Sequence, residues 1–197
     1  MIIKDWKKDL LTIPNFLSLF RLLLIPLYMT IYLNAQNMTD HLIAGGILTV
    51  SCLTDAFDGQ IARRFNMIST VGKVLDPLAD KATQFALILC LAIRYPVLWV
   101  LIVLFVIKEL FQLIAGIITL RKGKMLTGAL MTGKICTTVL FVSLVVLVVF
   151  PYLEQTVINV IAIVDTLFLL VAFIDYARVY ITHSSMIQNL PKDEDES

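Results

Sequence analysis

Charge is scarce in this chain: 16 Lys and Arg and 15 Asp and Glu make up 16% of 197 residues, against 59% hydrophobic. A soluble domain carries about a quarter charged residues, so the composition excludes an ordinary water-soluble fold and places the chain in a bilayer. Cysteine is nearly absent. Cys52, Cys90 and Cys136 stand alone in apolar surroundings. Without paired spacing they exclude a zinc site or a disulfide framework, and they are expected to be buried. The two histidines, His41 and His183, have no ligand-spaced companions and are expected at the membrane–water interface. The 16 basic residues stand at intervals between apolar runs rather than gathered in one place, so nucleic acid is not expected as a partner. The N-terminus, MIIKDWKKDLL, lacks the basic, apolar, small-residue order of a cleaved signal peptide and is expected to belong to the mature chain. There is no internal repeat, and no alternation of the kind that barrel strands show.

What the chain does have is long apolar runs. Six stretches, 15–33, 41–65, 70–93, 96–120, 129–151 and 157–181, each approach the length of about 20 residues that crosses a hydrocarbon core. Backbone groups in lipid must pair within their own segment, so the fold class is all-α: an integral membrane protein of six transmembrane helices. Three domain assignments follow: a short interfacial amphipathic helix over 1–12, where Ile2, Ile3, Trp6, Leu10 and Leu11 interleave with lysines, a membrane domain over 13–183, and a disordered cytoplasmic tail over 184–197 ending in KDEDES. Lys4, Lys7, Lys8, Arg63, Arg64, Lys73, Arg121, Lys122, Lys124, Arg178 and Lys192 fall on alternate connections, while the other connections hold only Arg94. The positive-inside rule then puts both termini in the cytoplasm of a multi-pass cell-membrane protein. Tyr28, Tyr32, Tyr95, Trp99 and Tyr152 sit toward the opposite ends, as an aromatic belt would.

Ionisable residues inside spans are costly and point to function. Here they cluster at the cytoplasmic end of the second and third spans. Helical spacing sets Asp55, Asp58, Gly59 and Ala62 on one stripe, and Gly72, Asp76 and Asp80 on another. Four carboxylates facing one another would repel, and hard divalent cations between them relieve that: an oxygen-only set suits two Mg²⁺ or Mn²⁺ ions. Gly59, Ala62 and Gly72 leave room for a nucleotide diphosphate, whose phosphates Arg63 can grip. Interhelical pairing of the acids, or an ion transporter, is the competing reading, although a transporter would hold its acids near the midplane. Glu109, Asp165 and Asp175 are expected to pair with Lys108 or Arg178 as contacts between helices.

These residues resemble a known family. The CDP-alcohol phosphotransferases share the pattern D-x-x-D-G-x-x-A-R, eight residues, then G-x-x-x-D-x-x-x-D. This chain matches at Asp55, Asp58, Gly59, Ala62, Arg63, Gly72, Asp76 and Asp80. The segment Ile13-Pro14-Asn15-Phe16-Leu17-Ser18-x-x-Arg21, followed by Pro26, is similar to the phosphatidylglycerophosphate synthase and cardiolipin synthase branches. The resemblance implies a homodimeric membrane enzyme that moves a phosphatidyl group from CDP-diacylglycerol to an alcohol and releases CMP. It makes Asp55, Asp58, Asp76 and Asp80 ligands of two metal ions and Asp80 also the general base.

The resemblance leaves two acceptors open, glycerol 3-phosphate and phosphatidylglycerol, the latter giving cardiolipin. The phosphatidylglycerophosphate synthases carry an Arg-Glu pair in span four, a second arginine eight positions on, and Gly-Lys-x-Lys-Thr at the start of span five. This chain has Lys108-Glu109, then Gly116, then Gly133-Lys134-Ile135-Cys136-Thr137. Lys108 and Lys134 are the candidate acceptor-binding residues. Two cationic positions are missing, at Gly116 and Cys136, and Arg121, Lys122 and Lys124 are the basic residues that could replace them.

Overall fold

The computed structural model describes residues 13–64, 72–126, 130–182 and 187–189. Six helices account for nearly all of them: α1 (Ile13–Leu33), α2 (Met38–Arg64), α3 (Gly72–Arg94), α4 (Trp99–Arg121), α5 (Met131–Val149) and α6 (Gln155–Ile181). A 3₁₀ turn, Pro96–Leu98, leads into α4, and two short strands, β1 (Lys124–Leu126) and β2 (Ile187–Asn189), pair antiparallel. The all-α expectation therefore holds, with a three-residue ladder as the addition.

Among the described residues four segments are long and apolar enough to cross a membrane: Asn15–Leu33, Pro96–Arg121, Met131–Val149 and Gln155–Ile181. No more than 33% of any of these spans is buried within the chain, so most of each surface faces outward. Phe16, Leu23, Val103, Leu113, Ile163 and Leu167 are among the large exposed apolar side chains, a surface that lipid tolerates and water does not. Helices α2 and α3 have 27 and 23 residues, long enough to span, but they carry most of the charge. Asp40, Asp55, Asp58, Arg63 and Arg64 lie on α2, and Lys73, Asp76, Asp80, Lys81 and Arg94 on α3.

Local chemistry explains the helix ends. Asp40, in the first turn of α2, reaches back to accept from the backbone N–H groups of Gln36 (2.9 Å) and Asn37 (3.2 Å), which satisfies donors that the helix start leaves unpaired. The same two donors hold its carboxyl below the usual carboxylate range. Past α4, Gly123 adopts φ +69°, a left-handed turn that glycine takes without strain, and the chain leaves the helix there to enter β1.

The chain divides into two compact units. The first holds α1, α2 and α3 together with Leu144–Leu153. In it α1 packs against both α2 and α3, and the Tyr95 hydroxyl donates to the Pro151 carbonyl at 3.0 Å. The second holds Val97–Ser143 and the chain from Glu154 onward, where α4 packs against α6.

Several expectations need correction. Tyr28, Tyr32 and Tyr95 do not form a belt: they are buried inside the first unit, and only Trp99 and Tyr152 are exposed. The reason is register, because Tyr28 and Tyr32 continue the inward stripe of α1. His41 likewise is buried, its Nε2 2.9 Å from Arg94 and its ring edge-on to Tyr32. Cys52 is exposed, whereas Cys90 and Cys136 are buried as expected. Of the tail expected to be disordered, Ile187–Asn189 instead form β2 against Lys124–Leu126, with Met125 opposite Gln188. The interfacial helix expected over 1–12 and the remainder of the tail lie outside the described residues.

Two adjacent glycines on α2 test the packing of the first unit. A Cβ at Gly45 would stand 2.9 Å from the Val149 side chain, whereas one at Gly46 would meet nothing within 4 Å. We expect Gly45→Ala to cost about 1–3 kcal/mol through overpacking and Gly46→Ala to gain roughly 0.5–1 kcal/mol through helix propensity. Thermal unfolding in detergent measures both.

Candidate functional site

The site is built from α1 outward. Asn15, Ser18, Arg21, Ile25, Tyr28 and Tyr32 follow one another at spacings of three and four, so they line a single face of α1. That face is polar at its N-terminal end and aromatic at the other. Arg21 is only 2% exposed, deep for a guanidinium on an apolar helix. It is held there by Asp76 of α3: its Nη2 donates to Asp76 Oδ1 at 2.9 Å, and the Ser18 hydroxyl donates to the same oxygen at 3.2 Å. Both contacts fall on Oδ1. The Asp76 side chain remains 47% exposed.

Toward the middle of the unit, Leu24, Ile25 and Tyr28 of α1, Ile47, Leu48 and Ser51 of α2, and Thr83 and Ala86 of α3 line one small cleft. This fixes the direction of α2 against α3. Ser51 lies thirteen residues before the end of α2 and Thr83 eleven after the start of α3. Were the helices parallel, those ends would be about 36 Å apart along the axis. The eight peptide steps from Arg64 to Gly72 reach at most about 29 Å. The helices therefore run antiparallel, and α1 runs parallel to α3.

From Ser51, the register of α2 continues through positions 55, 58 and 62, and from Thr83 the register of α3 runs back through 80 and 76. The acid-bearing positions of both helices thus extend the cleft-lining stripes toward the same end of the hairpin, the end at which Arg21 and Ser18 meet Asp76. Asp76 and Asp80 are half-buried there, one turn apart. Asp55, Asp58, Gly59, Ala62 and Arg63 fall on the last turns of α2 and Gly72 opens α3; the side chains at these positions lie outside the described residues.

The candidate acceptor residues belong to the second unit. Lys108 on α4 is buried, and its Nζ pairs with Glu109 at 2.6 Å. The same ammonium stands 5.7 Å from the ring centroid of Tyr176 on α6, a cation–π arrangement. Tyr176 also reaches α5, because a Cβ added to Gly133 would lie 2.7 Å from its hydroxyl. Only glycine lets that ring sit against the first turn of α5, where Lys134 is exposed and the Thr138 hydroxyl donates to the Lys134 carbonyl at 2.9 Å. Tyr180 stands one turn further along α6, with its hydroxyl 3.7 Å from where a Cβ at Gly116 would be, and with Phe111 edge-on to its ring. Cys136 is buried.

Asp165 does not pair with a lysine or arginine as expected. Both its carboxylate oxygens accept from the Ser143 hydroxyl, at 2.8 and 2.7 Å. Sequence reasoning also missed Ser18 and Arg21 as partners of Asp76, and Tyr176 as the ring that joins Lys108 to Gly133. For Arg21 a signal was available: an arginine inside an apolar run of spanning length demands a partner.

The chain is all-α, with helices long and apolar enough to cross a membrane and with acid-bearing positions in register toward one end of a hairpin. Residues 11–174 match the CDP-alcohol phosphatidyltransferase family, and the chain belongs to that family. It is 35% identical to the CDP-diacylglycerol--glycerol-3-phosphate 3-phosphatidyltransferase of Aquifex aeolicus over 84% of this chain and 94% of that one. Over 113 residues it is 28% identical to a Mycobacterium tuberculosis protein named "Probable phosphatidylglycerophosphate synthase", a match spanning 56% of this chain and about half, 54%, of that protein's length. A cardiolipin synthase (CMP-forming) / mitochondrial hydrolase fusion protein of Schizosaccharomyces pombe is 39% identical over 88 residues, 45% of this chain and 14% of the fusion.

The Arg21–Asp76 pair makes a stability prediction. Asp76→Leu removes one ionic partner of a buried guanidinium and should cost about 3 kcal/mol, the low end for a broken buried pair because Asp76 is half exposed. Asp76→Asn keeps an acceptor for Arg21 and Ser18 and should cost little. The double change Arg21→Met with Asp76→Leu should recover most of the loss. Melting of helix content in detergent distinguishes the three.

Proposed function

We propose that this protein transfers a phosphatidyl group from CDP-diacylglycerol to a glycerol-containing alcohol, with release of CMP, in glycerophospholipid synthesis. The observation that carries this reading is the position of the family's acids: the register of an antiparallel α2–α3 hairpin brings positions 55, 58, 76 and 80 to one end. Six spans with both termini and this end of the hairpin in the cytoplasm would give the site access to a nucleotide-activated donor. The arrangement is further proposed to work as a homodimer.

The donor set fits two hard cations. All four candidate ligands are carboxylates, and the Asp76 oxygen not engaged by Arg21 and Ser18 belongs to a half-exposed side chain. Asp55, Asp58, Asp76 and Asp80 would hold Mg²⁺ or Mn²⁺. When bound, the ions neutralise the diphosphate and stabilise departing CMP. Gly59, Ala62 and Gly72 leave space on the same helical faces for the nucleotide, and Arg63 grips its phosphates. Asp80 accepts the proton of the attacking hydroxyl as the new ester bond forms at the phosphorus that bears diacylglycerol.

Glycerol 3-phosphate is the proposed acceptor, supported by the name of the Aquifex relative, whose length the match nearly covers. Phosphatidylglycerol is the second reading. It is favoured by Lys108, whose charge Glu109 already meets, and by the neutral residues at Gly116 and Cys136. Lys134, exposed on α5, serves either acceptor.

Purified protein with CDP-diacylglycerol and Mg²⁺ or Mn²⁺ should release CMP, and chelation should stop it. Asp55→Asn, Asp58→Asn and Asp76→Asn should each abolish release while the protein stays folded; full activity in any of them removes the metal assignment. Mass analysis of products from the two acceptors decides between phosphatidylglycerophosphate and cardiolipin.

The second unit supplies a further test. Gly133→Ala should push Tyr176 out of place and raise the KM for the acceptor roughly tenfold, equivalent to about 1.4 kcal/mol. The KM for CDP-diacylglycerol should stay the same. Gly116→Arg should improve use of glycerol 3-phosphate if that position faces the acceptor. Lysine at 136 is the poorer test, because Cys136 is buried and an amine there would be desolvated.

A further inference from the structure

We infer that Arg21 and Ser18 are positioning residues for Asp76, fixing which of its two oxygens faces the divalent cation. The inference rests on the metal-site reading proposed above. A carboxylate on a helix can rotate about its terminal torsion and present either oxygen, and that freedom is lost on binding. Here Oδ1 is taken twice, by Arg21 at 2.9 Å and by Ser18 at 3.2 Å. Both donors come from α1, one turn apart on its inward face.

Arg21 is the firmer of the two holds. Its guanidinium is almost fully buried, so it cannot follow the carboxylate outward without desolvating elsewhere, whereas Asp76 keeps about half its side chain in the open. The contact therefore pins one oxygen to the protein interior and leaves Oδ2 as the oxygen directed away from α1. Among the described residues no contact is made to Oδ2. A ligating carboxylate whose other oxygen is hydrogen-bonded is the usual design of a hard-metal site, and loss of such a supporting partner typically lowers metal affinity about 10–100-fold.

The test is Mn²⁺ titration of the purified full chain in detergent, followed by calorimetry, and the Mn²⁺ dependence of CMP release. Arg21→Gln should lower Mn²⁺ affinity about 10–100-fold and Ser18→Ala roughly tenfold. Arg21→Lys, which keeps charge but not the planar fork, should recover part of the loss. In the activity assay the half-saturating Mn²⁺ concentration should rise, with the maximal rate largely regained at saturation; a merely structural role would lower the maximal rate and leave the midpoint where it was. Helix content and elution volume establish that each variant is folded. Should Arg21→Gln not fold, Ser18→Ala decides, since it removes a bond without stranding a charge. Wild-type affinity in folded Arg21→Gln, or in Ser18→Ala where that variant must decide, overturns the inference. If the wild type and Asp76→Asn both fail to bind Mn²⁺, the metal-site reading falls, and the inference with it; if Asp76→Asn alone loses binding while the α1 variants keep it, only the inference falls.

Discussion

A charge inside hydrocarbon has no water to solvate it, and the internal architecture of this chain follows from where its charges find partners. Arg21 meets Asp76, Arg94 meets His41, Lys108 meets Glu109, and Asp165 takes the Ser143 hydroxyl. Three of these four join different helices, so each acts as a fixed point for packing. The Arg21–Asp76 pair has the widest consequences. It ties α1 to α3 at the level where the acids stand, and the cleft one turn deeper, shared with α2, sets the direction of the whole hairpin. A broken buried pair costs several kcal/mol, more than most single apolar contacts contribute.

The helices of the first unit divide the work unequally. Helix α1 is apolar enough to stand in a bilayer, while α2 and α3 carry the acids and the basic residues near them. A helix with that much charge is a poor spanning segment alone. Its neighbour α1, packed against both α2 and α3, presents a largely apolar outer face. Phe16, Leu19, Leu23 and Leu27 of α1 point outward, on the side opposite Ser18 and Arg21. On the reading proposed above, the costly helices are also the useful ones, because carboxylates at one end of a hairpin are what the divalent cations on a diphosphate need.

Much of the fold was legible in the sequence, because helix count follows from apolar run length and the absence of alternation. The helices that carry positions 55, 58, 76 and 80, and the face each pair shares, were legible because the spacing repeats the helical period. What escaped were partnerships between distant positions. Nothing local in the sequence says that Arg21 meets Asp76 rather than another acid, or that Asp165 settles for a serine hydroxyl. The aromatic residues misled for a related reason: Tyr28 and Tyr32 have the composition of an interfacial belt, but the stripe they share with Arg21 turns them inward, where His41 and Tyr32 stack edge to face. The strand at Ile187–Asn189 was hidden by the charged residues that follow it, since three residues pairing with Lys124–Leu126 leave almost no compositional trace.

The acceptor question turns on the same accounting of charge. A phosphomonoester such as glycerol 3-phosphate arrives as a dianion and asks for several charged donors, whereas the phosphodiester of phosphatidylglycerol carries one negative charge. Lys108 has little net charge to offer either, because Glu109 lies 2.6 Å away and the ammonium is buried beside the Tyr176 ring. Among the described residues of the second unit the exposed cations are Arg121 and Lys122 at the end of α4, Lys134 at the start of α5 and Arg178 near the end of α6. On the proposed reading, recognition of a dianion draws on several of these together, those at the α4 terminus standing beside the turn at Gly123 that leads into the β1–β2 ladder. Recognition of a diester can be met by Lys134 with the hydroxyls of Tyr176 and Tyr180, the first standing at Gly133 where even a Cβ would crowd it and the second beside Gly116. On the proposed reading, use of glycerol 3-phosphate therefore calls on exposed cations from α4, α5 and α6 together, whereas a diester asks less charge of the site and leaves more of the choice to the aromatic hydroxyls of α6.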